Sequence, residues 1–332
     1  MVKKVSIIMA VRNSEKYISQ AIESVILQSY KNFELIIIDD YSSDSSYEII
    51  NEFKKKDSRI KVYRNLKKLG PADTRNRAIK IARGEWISII DSDDIFFPNK
   101  IEKQLKLVNK NKDLIFVGSN LIFIDHKGTH LAYYKYTNNS KTLKKKVVRN
   151  KSFPPHSSYF VKKKYLLKIG GYNKRFLMAP DYDLLLRLES FKNKEFGVCE
   201  EVLTKVRIHK GNRSHKKLNN FTQLDFAITA STCIEILKKF KIDPSRDFND
   251  KNWIEFMNIF KKFISSINYY KFLVDKIRFK KNKQVGEYIN YFLNINFFKS
   301  NFTGHILPKK FQEDFFKIFE KKFIKKNSNL RN

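Results

Sequence analysis

The stretch FELIIIDDYSSDSSYEII, residues 33–50, changes its period in the middle. Phe33 to Asp39 is a nearly continuous apolar run, the pattern of a parallel strand covered on both faces. The polar segment Asp40 to Ser46 then opens into Ile49, Ile50 and Phe53 at helical spacing, and Asp44 is placed to cap that helix. A buried strand that passes through a short polar turn into an amphipathic helix is the building unit of an α/β sheet.

The unit recurs on both sides. Runs at 4–10, 60–65 and 85–91 read as further strands. Ser14 can cap a helix carrying Ile18, Ala21, Ile22, Val25 and Ile26. Pro71 opens another with Ala78, Ile79 and Ala82, and Pro98 a fourth with Ile101, Leu105 and Val108. The alternation predicts a doubly wound, mostly parallel sheet with flanking helices. Ligands of such sheets bind beyond the carboxyl ends of the strands. Ala10 to Asn13, Asp39 and Asp40, Asn65 onward and Asp91 to Asp94 therefore belong on one edge.

From 114 to 210 the pattern is mixed, with strands expected at 113–120, 157–163 and 200–209 and a helix at 181–189. Beyond 220 only helical patterns remain. Trp253, Phe256, Met257, Phe260, Phe263, Ile264 and Ile267 form one stripe; Phe311, Phe315, Phe319 and Phe323 form another. The chain thus divides into residues 1–215 and a helical, basic, aromatic-rich region, 216–332.

Lys and Arg outnumber Asp and Glu by 67 to 34, a formal charge of +33. Such a balance attracts polyanions: nucleic acid, anionic lipid or phosphorylated substrates. It also accompanies a chain rich in Lys, Asn, Ile and Phe through coding bias. No helix-turn-helix, zinc-finger or RNP motif is present, which sets a nucleic-acid partner aside. The longest apolar run, 114–124, is too short to span a bilayer and is broken by Gly118, Ser119 and Asn120. Two cysteines and no secretory leader point to a reducing compartment, the cytoplasm by default. The Phe stripes either pack inward, or join copies into a homo-oligomer. Alternatively, with the lysines beside them, they seat the region on an anionic membrane surface at the inner face of the cell membrane.

Asp91, Asp93 and Asp94 crowd three carboxylates behind a strand end. Like charges this close raise one another's pKa unless something positive lies among them. A D-x-D pair there suits Mg²⁺ or Mn²⁺, which take oxygen ligands and share them with substrate phosphates. The plainer reading is an acidic turn before the Pro98 helix.

Taken in order, VSIIMAVRN (5–13), FELIIIDDYSSDSS (33–46), LGPADTRNRAIKIARGEWISIIDSDD (69–94), GGYNKRF (170–176), APDYDLLLRL (179–188) and VRIHKGNRS (206–214) resemble the nucleotide-sugar-dependent glycosyltransferases of family two. The resemblance runs from Lys4 to about Ser214 and implies a GT-A fold. It implies an inverting transfer of a sugar from a nucleotide-diphosphate donor to a glycan or lipid-linked acceptor, with Mn²⁺ or Mg²⁺, in surface polysaccharide, lipopolysaccharide or glycoprotein glycan assembly.

The resemblance also assigns positions. Ala10 and Arg12 fall at the donor base, where AVR departs from the family's usual Pro or Thr, any residue, Tyr. Asp40 falls on the acid that binds the base, and Gly70 and Arg75 near the diphosphate and sugar. Asp91, Ser92 and Asp93 fall on the D-x-D motif, with Asp93 the direct metal ligand, joined by Asp91 and His209. Asp94 is left to cap a helix or to touch the sugar, and Arg207 and Arg213 to bracket the diphosphate. Asp181 falls on the catalytic base, although Pro180 replaces the acid that usually precedes it. By local chemistry alone Asp181 is a helix-start acid favoured by the macrodipole, with Asp183 or His156 as substitutes for the base.

A nucleotidyltransferase would show a glycine-rich phosphate loop after the first strand, and a dehydrogenase G-x-G-x-x-G; AVRNSEKY (10–17) is neither. The remaining alternatives are a polyanion-binding protein and a catalytically inactive glycosyltransferase-like module, which the intact Asp91, Asp93 and Asp181 oppose.

Overall fold

The computed structural model describes residues 4–135, 154–212, 223–266 and 309–324. Backbone contacts divide the chain into two units: residues 1–147 with 152–215, and residues 148–151 with 216–332.

The described part of the first unit is built on one mixed sheet. Its strands are β1 (Val5–Val11), β2 (Phe33–Asp39), β3 (Ile60–Arg64), β4 (Trp86–Ile89), β5 (Ile95–Phe96), β6 (Leu114–Ile124), β7 (His130–Tyr134), β8 (Phe160–Lys162) and β9 (Glu195–Arg207). The order is β3-β2-β1-β4-β8-β6-β9-β5, with β7 pairing β6 antiparallel beyond its contact with β8. The block β3-β2-β1-β4 is parallel throughout. β8 runs against both β4 and β6, and β9 follows β6, so β6 and β9 share the direction of the first four strands. The sheet is therefore mostly one-directional, and its carboxyl-end edge is interrupted between β4 and β6 by the reversed β8.

The helices are α1 (Ile18–Ile26), α2 (Ser46–Lys56), α3 (Pro71–Ile81), α4 (Lys100–Lys110), α5 (Lys163–Lys168) and α6 (Pro180–Glu189). The core between sheet and helices includes Ile7, Ile22, Leu35, Ile37, Ile101 and Phe160, each almost wholly buried. Every residue of β2 and of β6 is buried, which is why both read as unbroken apolar runs.

Several helix starts differ from expectation. α1 begins after Tyr17, and Ser14 serves it through its carbonyl, which accepts the amides of Tyr17 and Ile18. α2 begins after Ser45. The Asp44 carboxylate accepts the Ser46 amide (3.1 Å) and the Glu15 amide (3.1 Å), tying two loops together. α4 begins at Lys100, with Asn99 rather than Asp94 at its cap.

The second unit contains α7 (Gln223–Phe240), α8 (Pro244–Asp247), α9 (Asp250–Ser266) and α10 (Lys309–Phe319), followed by a wide turn, Glu320–Ile324. The two Phe stripes face each other. Phe260 meets Phe315 at 4.8 Å, Phe248 meets Phe323 at 5.0 Å, and Phe256 lies within 6.1 Å of Phe315, Phe319 and Phe323. These rings form the unit's own core and are not presented to a second copy or to lipid. Lysines 238, 239, 262, 317, 321 and 322 are exposed. Among the described residues no helix is long and apolar enough to cross a membrane. Ile267, Arg213 and the side chain of Phe311 lie outside the described residues.

Candidate active site

β1 and β2 end side by side. Ala10 pairs with Ile38 in the parallel ladder. Two residues on, Arg12 donates through Nη1 to the carbonyls of Asp40 (2.7 Å) and Tyr41 (2.9 Å). Its guanidinium is thus committed to fastening the two strand ends. Tyr41 is held at φ +62°, a left-handed conformation that a non-glycine residue adopts at a cost.

Asp40 is buried, and its carboxylate organises the loop that leads into α3. Oδ1 accepts from the Leu69 amide (2.7 Å) and Asn65 Nδ2 (2.9 Å), and Oδ2 from the Gly70 amide (2.8 Å). Burial pushes the carboxyl upward, but these donors outweigh it and hold the group below the usual range. Gly70 can serve here because its φ is +88°, a region glycine enters without strain.

β4 delivers the acidic turn, and the three carboxylates separate. Asp91 turns to Arg75 and His156: Arg75 Nη2 lies 2.6 Å from Oδ1, and His156 Nδ1 lies 3.1 Å from Oδ1 and 3.2 Å from Oδ2. Burial raises its pKa, yet His156 and Arg75 more than offset this and hold it well below the usual range. Ser92 meets Ser14 hydroxyl to hydroxyl at 2.7 Å, joining β4 to β1. Asp93 Oδ2 accepts from His209 Nε2 (2.9 Å) and Asn212 Nδ2 (3.2 Å).

Asp94 is buried, accepting from the Arg207 amide (2.8 Å) and the Ser157 hydroxyl. Burial, with Asp93 and Asp91 beside it, pushes its carboxyl well above the usual range. Asp94 therefore latches the turn to β9 and to the 156–158 turn, and does not cap α4. Arg207 is likewise structural. It is buried and donates to the Asp93 carbonyl (3.0 Å), the Asp125 carbonyl (3.2 Å) and Gln20 Oε1 (2.7 Å).

Asp181 stands in the first turn of α6, behind Pro180. It is half-buried. Burial raises its pKa, the charge of His156 opposes this, and the charge of Asp91 adds to it. Those couplings place Asp181 within electrostatic reach of the D-x-D side of the site. Asp183 is spent in a buried pair with Arg187, whose Nε lies 2.9 Å from Oδ2. It is no substitute base.

Tyr172 and Asn76 join the site without having been singled out for it, and His156, expected only as a substitute base, joins it beside Asp91. Tyr172 hydroxyl lies 2.7 Å from His156 Nε2. Asn76, next to Arg75 on α3, clamps the Tyr172 backbone by accepting its amide (2.7 Å) and donating to its carbonyl (2.8 Å). The sequence signal was PPHSS (154–158), a rigid turn placing a titratable ring before a strand.

A divalent cation finds a partial donor set here. Asp93 offers a carboxylate of the hard-oxygen type such ions prefer, and its side chain is 23% exposed. His209 Nδ1 accepts the Gly211 amide at 3.1 Å, which leaves the proton on Nε2, pointing at Asp93. A ligating His normally donates through its other nitrogen, so His209 would have to exchange that contact to bind metal. Asp91 is occupied by Arg75 and His156. Among the described residues no group of three or more His, Cys, Asp or Glu side chains is arranged to hold a metal. The residues fit a cation held by Asp93, with substrate oxygens completing its shell.

Residues 6–170 match the family model described as glycosyl transferase family 2. An uncharacterized glycosyltransferase, MJ1057, of Methanocaldococcus jannaschii is 37% identical over 206 residues, which cover 61% of this chain and 70% of that protein. The O-antigen biosynthesis glycosyltransferase WbnJ of Escherichia coli is 34% identical over 218 residues, covering 64% and 82% respectively. Among solved structures, S. aureus TarS 1–349 in complex with UDP-GlcNAc matches with a TM-score of 0.59 at 19% identity, covering 88% of this chain and 81% of that one.

Proposed function

This chain belongs to glycosyl transferase family 2 and is a transferase; on that premise we propose that it moves a sugar, with inversion, from a nucleotide-diphosphate sugar to a hydroxyl of a growing bacterial surface glycan. WbnJ supports the glycan, being an O-antigen enzyme, and TarS supports a uridine diphosphate sugar donor, having been solved with UDP-GlcNAc. One observation carries the reading of the site. The strand end bearing Asp91 and Asp93 is joined through His156 to Tyr172, on the turn that leads toward the helix bearing Asp181.

The donor lies along the ends of β1, β2 and β4. Ala10, Arg12, Asp40 and Gly70 line the nucleoside end, chiefly through the backbone shape that Arg12 and Asp40 impose. Arg75, Asp91 and Ser92 border the diphosphate. Asp93 would hold Mn²⁺ or Mg²⁺, with His209 as a second ligand once its Gly211 contact is exchanged, and the chemistry supplied there would be neutralisation of the charge that grows on the leaving diphosphate. Asp181 takes the proton from the acceptor hydroxyl. The freed oxygen pair bonds to the anomeric carbon as the bond to the diphosphate oxygen breaks, and its electrons leave with the nucleotide. A carboxyl raised by burial is a stronger base than an ordinary one, which suits that role.

The test is thermal unfolding with UDP-GlcNAc or UDP, with and without Mn²⁺. The wild type is expected to gain metal-dependent stability, and Asp93→Ala to lose most of it because the diphosphate then faces no cation. Equal metal-dependent stabilisation of both proteins would overturn the Asp93 assignment.

A further inference from the structure

His156 sits inside a closed circuit of contacts. Arg75 on α3 holds Asp91 at 2.6 Å, Asp91 meets His156 Nδ1 at 3.1 Å, and His156 Nε2 meets the Tyr172 hydroxyl at 2.7 Å. Tyr172 then returns to α3 through the two bonds of Asn76. The circuit crosses the site, with Asp91 on the donor side and the Gly170-Gly171-Tyr172 turn on the side that precedes α6 and Asp181.

The turn that carries His156 is pinned independently of the ring. The Ser157 hydroxyl accepts the Asp91 amide (3.0 Å), and the Ser158 carbonyl accepts Gln104 Nε2 (2.9 Å). Tyr159 carbonyl accepts the Ile89 amide (3.1 Å). Gly118 leaves room for Pro154, whose Cγ would lie 2.3 Å from a Cβ there. On the other side, Gly170 and Gly171 have φ of +71° and +69°. A Cβ on Gly171 would fall 2.2 Å from Asn76 Oδ1. Both partners of the imidazole are thus presented by backbone that is already fixed. The ring itself is 11% exposed. Nδ1 faces the Asp91 carboxylate and donates to it, and Nε2 shares the second hydrogen bond with the Tyr172 hydroxyl.

We propose that His156 is a positioning residue of the transfer reaction, acting through Tyr172 to set the distance between the donor-side Asp91 and the helix that carries Asp181. The inference rests on the donor and base reading above. Its chemical basis is that a reacting pair displaced by about 1 Å loses about a hundredfold in rate. The imidazole is a spacer of fixed length between two hydrogen-bonded anchors.

The experiment measures UDP release from UDP-GlcNAc with Mn²⁺, and UDP affinity, for His156→Asn, Tyr172→Phe and the double variant. Asn reaches Asp91 in place of Nδ1 but falls short of Tyr172. Each single variant is expected to lower kcat by about ten- to a hundredfold, with UDP affinity changed less than about twofold. The double variant should be no worse than either single, because all three break one contact. A Tyr172→Phe enzyme with wild-type kcat, or losses that multiply in the double variant, would overturn the proposal. Losses that appear only as lowered thermal stability, with kcat intact in the folded fraction, would overturn it as well. A wild-type chain that binds no nucleoside diphosphate would instead overturn the donor reading beneath it, a result visible before any substitution is made.

Discussion

Asp181 is a carboxylate whose surroundings delay its ionisation. Burial raises its pKa more than the nearby His156 lowers it. A base must be ionised to accept a proton, so turnover should fall as pH drops through that raised pKa. Asp181→Asn keeps the shape and removes the acceptor. Its kcat is expected to fall by about 10² to 10⁴ with donor affinity retained, and the acidic limb of the pH profile should vanish. A variant turning over at the wild-type rate would return Asp181 to its role as a helix-start acid. The sequence pointed to Asp91, Asp93 and Asp181 only through the family resemblance, since by local chemistry a carboxylate at a helix start needs no function. It did not show where each one points. Asp91 is claimed by His156, 65 positions away, and Asp94 by Arg207, 113 positions away, and no local pattern encodes either pairing.

Among the elements, α4 starts in an unusual way. Its first residue, Lys100, is fully buried, with Nζ donating to Ser88 Oγ (3.0 Å) and Gln104 Oε1 (2.8 Å) and lying 4.2 Å from the Phe96 ring. A cation at a helix N-terminus also opposes the macrodipole. Burial brings the pKa of the amine down to about 7. The folded chain then binds this proton less readily than the unfolded one. The resulting penalty is present in full below about pH 7 and is relieved as pH rises toward the ordinary lysine value. Lys100→Met should therefore be more stable than wild type by about 1–4 kcal/mol near pH 7, less whatever the stranded Ser88 and Gln104 cost. That advantage should shrink as urea unfolding is repeated toward pH 10. A constant difference across the range would show that Lys100 is not the titrating group.

Element boundaries followed the strength of local patterning. β2, β6 and α6 are legible because burial is continuous or helical in period. β5 is two residues long and exists only because Ile95 and Phe96 pair with Lys205 and Thr204. β9 begins at Glu195, earlier than its alternation suggests, because its pairing with β6 shifts register on the way.

At the scale of the whole molecule the +33 charge needs a destination. The exposed lysines of the second unit, over an aromatic core, support docking on anionic lipid, and we propose this as the unit's role. Truncation would uncover the Phe core, so charge reversal is the cleaner test. Lys317→Glu, Lys321→Glu and Lys322→Glu together should weaken sedimentation with phosphatidylserine vesicles at least tenfold at low salt. UDP release from UDP-GlcNAc in free solution should stay unchanged. Salt should weaken the wild-type association as the Debye length shortens. Wild-type protein that ignores such vesicles at low salt would end the docking idea.

The aromatic core of that unit also sets an order of events during synthesis. Phe248, Phe256 and Phe260 are closed over by Phe315, Phe319 and Phe323, which the ribosome adds only after the intervening stretch has been made. At about 5–20 residues per second, the earlier rings stay uncovered for a period on the order of seconds. During that interval the nascent chain carries bare apolar rings, an aggregation hazard, although the finished unit buries the same surface.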